Sequence, residues 1–262
     1  MERKKFLGNA LKFIRSRMKF FHQPSAISLQ PYLFLALAIW GCGNAMAIDR
    51  ENLKFYLPFE GTLQPRIAGA NTQLTFAKGT AQDAQLVAGR RGQGLKVTPE
   101  LILHYQTRES FSAKECTVAF WMKPVGSWGD MRCIRYFLLI CSDQISMQFY
   151  AFYGVPYIWV ACPTRYDLIG GPNWEAAFAQ KPFADEQWIF LAGTFKPGQQ
   201  AFYINDRQVI CRTDALIEPE FIKTGTIDIP AGDQVLDEIM VFDRVLTEQE
   251  ISAVYRANAP QR

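Results

Sequence analysis

Six residues between positions 128 and 174 have the side-chain types and the setting to grip a polar ring. Trp128, Tyr153, Tyr166 and Trp174 stand among Gly154, Gly170, Gly171, Pro156, Pro163 and Pro172, with Asp167 and Asn173 beside them. Exposed Trp and Tyr rings can stack on the apolar face of a sugar while carboxylates and amides bond its hydroxyls. Segments that connect the elements of a rigid scaffold are where such sites usually sit. Trp128, Trp174, Tyr153, Tyr166, Asp167 and Asn173 are therefore the candidate ligand-binding residues, with Asp130, Arg132 and Arg165 as further polar partners. Trp128 and Trp174 lie among turn residues, which suits either an exposed platform or a loop anchor. Trp159, within Tyr157-Ile-Trp-Val160, reads as a strand residue packed in the core, and Trp121 and Trp188 read as scaffold.

Groups that could move a proton are few. His104 lies in the apolar run Leu101-Ile-Leu-His-Tyr105, where a lone histidine is expected to be a satisfied core or edge residue. Asp237 and Glu238 are adjacent, with Asp243 further on, and neighbouring positions of a strand point to opposite faces. No Ser or Cys has a candidate base. Beyond Cys42 the cysteines are Cys116, Cys133, Cys141, Cys162 and Cys211, with no C-x-x-C among them, so a structural zinc site is not expected. Outside the reducing cytosol paired cysteines oxidise. An odd number allows at most two disulfides and leaves one thiol, with the connectivity open; Cys133 and Cys141, flanking an apolar strand, are one guess at a pair.

The elements that must hold these residues follow a period of two. Leu53, Phe55, Leu57 and Phe59 alternate with Lys54, Tyr56 and Pro58; Cys116, Val118, Phe120 and Met122 alternate with Thr117, Ala119, Trp121 and Lys123; Ile145, Met147 and Phe149 alternate with Ser146, Gln148 and Tyr150. Each is the pattern of a half-buried strand. Pro58 cannot donate to a ladder and marks a strand end. Asn205-Asp206 fits a two-residue hairpin turn, since Asn tolerates the left-handed conformation; Asp206, where Gly is usual, should strain a type I′ turn or enlarge the loop. Thr247-x-x-Glu250 is a capping box at a helix start, and Ile251, Val254 and Tyr255 supply its apolar stripe. Many strands without interleaved helices argue for an antiparallel sandwich. No linker or repeat divides residues 48–262, which are expected to form one β domain.

Residues 1–47 read as an export signal, cleaved or anchoring. The first 19 residues carry seven Lys or Arg and one Glu, the apolar run Tyr32–Trp40 follows, and Ala45-Met46-Ala47 is the small-x-small pattern of a cleavage site. Ile39-Trp-Gly-Cys42 loosely resembles a lipobox. The apolar run is short for a spanning helix, which needs about 20 residues. The leader holds six net positive charges, so a whole-chain charge of +3 leaves the remainder near −3. Such a surface gives no electrostatic case for nucleic acid. Membrane contact is expected only through the leader, and the location is extracellular, periplasmic or cell-surface.

Trp188–Phe195 leading into Ala201–Ile210, then Leu236–Leu246 running into Thr247–Ile251, resemble the terminal signature of laminin-G-like domains of the concanavalin A-like lectin/glucanase superfamily. Leu57-Pro-Phe-Glu-Gly-Thr-Leu63 is similar to that family's first strand and turn, Gly89–Leu95 to its glycine-rich turn, and Thr117–Pro124 to its central strand. The resemblance implies an all-β fold, an antiparallel two-sheet jelly-roll sandwich with a short C-terminal helix. It implies a structural calcium, with Glu60 and Asp237 as its carboxylates; otherwise Asp237 bonds a neighbouring loop and Glu60 is solvated. Hydrolases of this fold carry a Glu-x-Asp-x-x-Glu motif that is missing here, and no lyase motif surrounds His104. The expected function is non-catalytic recognition, of a glycan first and a cell-surface or matrix protein next. The alternatives are a glycoside hydrolase or polysaccharide lyase with an unrecognised active site, or a purely structural envelope protein. Fold alone does not choose among these.

Overall fold

The computed structural model describes residues 51–69, 72–107, 115–126, 134–142, 146–152, 155–162, 165–169, 186–212 and 225–257, all within the unit Ala45–Arg262. The leader, Cys133, Trp128, Tyr153, Asn173 and Trp174 lie outside them. In chain order the strands are β1 (Leu53–Leu57), β2 (Gln73–Lys78), β3 (Gln85–Ala88), β4 (Gln93–Val97), β5 (Ile102–Gln106), β6 (Cys116–Pro124), β7 (Arg135–Ser142) and β8 (Ser146–Phe152). They continue with β9 (Val155–Cys162), β10 (Arg165–Ile169), β11 (Ile189–Lys196), β12 (Gln199–Ile204), β13 (Arg207–Arg212), β14 (Gly225–Ile229) and β15 (Gln234–Phe242), and the chain then enters helix α1 (Glu248–Ala257).

An eight-stranded sheet runs β13-β12-β11-β6-β15-β4-β3, with β1 also paired to β15, and a seven-stranded sheet runs β10-β9-β8-β7-β14-β5-β2. Every pairing is antiparallel. The jelly-roll sandwich expected from the residues is the fold observed. Leu57, Phe120, Met122, Leu191 and Leu236 of one sheet face Leu103, Phe149, Ile158 and Ile227 of the other in one continuous core. That layer follows from period-two patterning, which puts alternate side chains on one face of each strand.

The half-buried pattern expected of β6 is not what forms. Its other face, with Ala119 and Trp121, is buried too, in a second cluster with Phe190, Met240, Ile251 and Val254. Helix α1 supplies the cover. It starts at the expected capping box, where Thr247 N donates to Glu250 Oε2 at 2.7 Å and Glu250 N donates to Thr247 Oγ1 at 3.3 Å. Arg244 grips the same carboxylate through Nη1 at 3.0 Å and Nη2 at 2.6 Å. Tyr255 stacks on Trp121 with ring centroids 5.4 Å apart, and Arg90 lies over the Trp121 ring at 4.2 Å.

The Asn205-Asp206 hairpin forms without the expected strain. Only Asn205 is left-handed, at φ 58°, so the turn is not type I′ and Asp206 keeps an ordinary backbone. Asn205 N also donates to Phe190 O at 2.7 Å, while its Oδ1 accepts from Phe190 N at 3.2 Å. Cys116, buried, and Cys211, exposed, both remain thiols. Burial pushes the Cys116 thiol far up, which makes it inert.

Candidate functional site

Three places in the sandwich gather groups with chemistry, and the first is the expected metal position. Strand β15 pairs through Gln234, Val235 and Leu236 with β4, and through Ile239, Met240, Val241 and Phe242 with β1. The hand-over falls at Asp237-Glu238, where the register against β6 also shifts and Glu238 is left-handed at φ 52°. This bulge overturns the opposite-face expectation for the two carboxylates. Leu236 and Ile239 both face the inter-sheet core, so the two residues between them both turn away from it.

Each carboxylate then finds donors. Asp237 Oδ1 accepts from Glu238 N at 2.8 Å and Oδ2 from Arg91 N at 3.0 Å, so the side chain holds the glycine-rich turn. Gly89 is needed there, because a Cβ would lie 2.7 Å from Asp237 Oδ2. Glu238 Oε2 accepts the Tyr56 hydroxyl at 2.8 Å. Burial pushes Asp237 up to about 7 against the pull of the backbone amides, and pushes Glu238 up against Tyr56, Arg91 and Arg66. Both residues are closed off from solvent, so they do not form a pair facing a substrate.

Glu60 borders the same turn, half-buried, with its carboxylate against Gly92. These residues do not make a calcium cage. Among the described residues no three His, Cys, Asp or Glu side chains converge to hold a metal, and both Asp237 oxygens face N–H donors where calcium needs six to eight oxygens.

The second place is one rim of the sandwich. Val125 N donates to Asp233 O at 2.9 Å, Glu186 N donates to Pro124 O at 3.1 Å, Arg135 Nη1 reaches Asp233 Oδ2 at 3.0 Å, and Lys123 pairs with Glu186 at 3.4 Å. Residues 125 and 135 flank the stretch that holds Trp128 and residue 186 follows the one that holds Trp174, so three of the four attachment points meet at one corner, the fourth being Ile169 at the end of β10. Gln234 of the same corner is wholly buried with neither amide atom bonded, and Ile134 is half exposed. Of the candidate ligand residues, Tyr166 and Asp167 fall on edge strand β10, and the others lie outside the described residues.

The third place was missed as a site. His104 is neither a core nor an edge residue. It sits on the outer face of the seven-stranded sheet, where its Nδ1 lies 2.5 Å from Asp228 Oδ1, the two side chains being 31% and 24% exposed. Burial raises the Asp228 carboxyl, and the histidine counteracts this. Alternation held the signal for each residue. His104 stands between buried Leu103 and Tyr105, and Asp228 between buried Ile227 and Ile229.

The comparisons define the class first. A laminin G family model, described as the concanavalin A-like lectin/glucanases superfamily, matches residues 102–252. The chain belongs to that family. Among curated proteins none matches. Solved structures with the same fold include the ligand-binding domain of botulinum neurotoxin serotype D in complex with N-acetylneuraminic acid (TM-score 0.66, 15% identity, 82% of this chain and 53% of that one). The binding domain of Paraclostridial Mosquitocidal Protein 1 is similar too (TM-score 0.59, 19% identity, 79% and 52%). So is the binding domain of botulinum neurotoxin DC in complex with rat synaptotagmin II (TM-score 0.61, 13% identity, 79% and 52%). The chain spans about half the length of these structures. At such identities the likeness establishes the jelly roll, and these neighbours are binding domains.

Proposed function

We propose that this protein is an exported, non-catalytic recognition domain that binds a glycan. The observation that carries the reading is the rim corner at Asp233. Both flanks of the stretch holding Trp128 are bonded there to one end of the sandwich, and the residue that follows the stretch holding Trp174 bonds beside them, which suits aromatic platforms presented from a fixed base. The neurotoxin serotype D domain solved with N-acetylneuraminic acid supports a sugar as ligand on this fold. Burial of Asp237 and Glu238 supports binding without hydrolysis, because a retaining or inverting pair must face the scissile bond. Residues 1–47 are the export signal in this account, and Asp237 holds the glycine-rich turn through the Arg91 amide.

A protein partner is the second reading, favoured by the neurotoxin DC domain solved with synaptotagmin II. Electrophoresis of the protein through gels cast with soluble polysaccharides tests the first reading. Retarded migration in at least one gel, relieved in Trp128→Ala or Trp174→Ala variants that stay folded, is the expected outcome. Unretarded migration in every gel moves the assignment to a protein partner.

A further inference from the structure

We infer that Gln234 reads the acetamido group of an N-acetylated sugar at the rim corner; this deepens the glycan reading above and rests on it. Gln234 opens the inward row of β15 and stands opposite Val97 of β4 and Pro124 of β6. Val97 and Leu236 belong to the core between the sheets, so alternation turns Gln234 into the same layer. It is the polar end of an apolar row, wholly buried, with Oε1 and Nε2 both unbonded. Among the described residues no other buried carboxamide is unbonded at both atoms. A buried amide without a partner keeps its full desolvation cost, so an apolar side chain of that size would serve the fold better. Gly232 shows where the amide lies. A Cβ there would run into Oε1 and lie 2.9 Å from Nε2, so the carboxamide folds back against the Gly232 backbone, one residue from Asp233. Asp233 ties down both flanks of the Trp128 stretch, through Val125 N and Arg135 Nη1. The amide therefore sits at the base of the corner that carries the proposed aromatic platforms.

The group that satisfies this amide must bring an acceptor and a donor, and it must suit apolar neighbours. An acetamido group does both. Its carbonyl accepts from Nε2, and its N–H or the adjoining ring hydroxyl donates to Oε1. Its methyl packs where Val97 and Pro124 already make the layer apolar. A plain hydroxyl has no apolar part to place there, and a carboxylate, which only accepts, would leave Oε1 facing a second acceptor. Ile134, beside Arg135, is 50% exposed, the one large apolar side chain so exposed among the described residues, and it offers the ring of the same sugar an apolar contact. Gln234 is closed off in the unliganded protein, so binding includes a shift of the turn at Gly232. A costly buried amide kept at a binding corner is the exchange of stability for function that natural sites make.

The test uses the full chain with the β-linked hexamers of N-acetylglucosamine and of glucose, which share a linkage and differ only in the acetamido group. An acetylated alanine tetrapeptide amide is the non-sugar source of the same chemistry. Calorimetry gives the affinities of the unaltered protein, Gln234→Met and Gly232→Ala, and urea unfolding gives their midpoints. The expected result is that the N-acetylated hexamer binds about tenfold or more tighter than the glucose hexamer, and that both variants bring this ratio to about one. Gln234→Met, close in volume, should keep or raise the urea midpoint. The midpoint arm needs no ligand. A lower midpoint in Gln234→Met would show that buried water already serves the amide, and would overturn the role given to Gln234. An undiminished ratio in that variant overturns it too. Equal binding of the two hexamers overturns the acetamido assignment and leaves the glycan reading standing. Tetrapeptide binding as tight as that of the N-acetylated hexamer moves the site to a protein partner. Binding of neither hexamer by a protein that polysaccharide gels retard overturns this inference alone, and without retardation both readings fall.

Discussion

Tyr56 donates its hydroxyl to Glu238 Oε2 at 2.8 Å, joining the first strand to the last across 182 positions of the chain. Glu238 is 2% exposed, and burial raises its carboxyl while this bond lowers it. Tyr56→Phe removes the donor and leaves a buried carboxylate short of a partner, at a cost of about 1–3 kcal/mol. Urea unfolding checks this through a lower midpoint with an unchanged m-value. An unchanged midpoint would show that water replaces the hydroxyl.

Asp237 makes stability depend on pH in an unusual direction. Its carboxyl titrates near 7 in the folded protein, well above the ordinary 3.8, so the fold favours the protonated form. Stability is therefore greatest at and below about pH 4 as far as this group is concerned, falls as pH rises toward about 7, and is flat above. The slope is limited to about 1.4 kcal/mol per pH unit for one proton. Unfolding measured between pH 4 and 8 should show the decline, and Asp237→Asn should flatten it. An equal slope in the variant would assign the proton elsewhere.

Chelation tests the amide-held clip. With Asp237 bonded to Arg91 N and Glu238 N, EDTA should leave the melting temperature unchanged and added calcium should not raise it. A rise with calcium that saturates would mean that a cation binds the native state and that Glu60 and Asp237 rearrange around it.

At the other end of the pH range, Glu250 works in the opposite sense. The Arg244 side chain and the Thr247 cap hold it at about 2 in the folded protein, below the ordinary 4.5. Its stabilisation is complete above about 4.5 and is lost as pH falls toward 2. Glu250→Gln should cost about 1 kcal/mol at neutral pH and remove the acid-side loss, read by circular dichroism melts at pH 3 and 7.

Gly193 sets the distance between the sheets. A Cβ there would run into Ile158 and lie 3.0 Å from Phe149 Cζ. Gly193→Ala should cost about 1–3 kcal/mol by overpacking, seen as a lower urea midpoint. A neutral result would show that Ile158 can change rotamer.

Local pattern made much of the fold legible. Leu53, Phe55 and Leu57 alternate into the core, Thr247 and Glu250 cap α1, and Asn205 takes the turn, each because the cause lies within a few residues. What was hidden depends on distant partners. The burial of both faces of β6 needs a helix more than a hundred residues later, and the His104–Asp228 pair spans 124 positions. The bulge at Glu238 has no glycine to announce it, and it redirects two carboxylates that simple alternation would set on opposite faces. The Trp128 and Trp174 stretches were legible only as composition, while the corner that ties the two flanks of the first came from Asp233, which nothing local marks.

A glycan array probed with the labelled protein, with and without EDTA, tests the central claim most directly. The account predicts binding to one family of related glycans, insensitive to EDTA and abolished by Trp128→Ala or Trp174→Ala in variants with unchanged unfolding. An array without signal, alongside a protein that melts cooperatively, would contradict it.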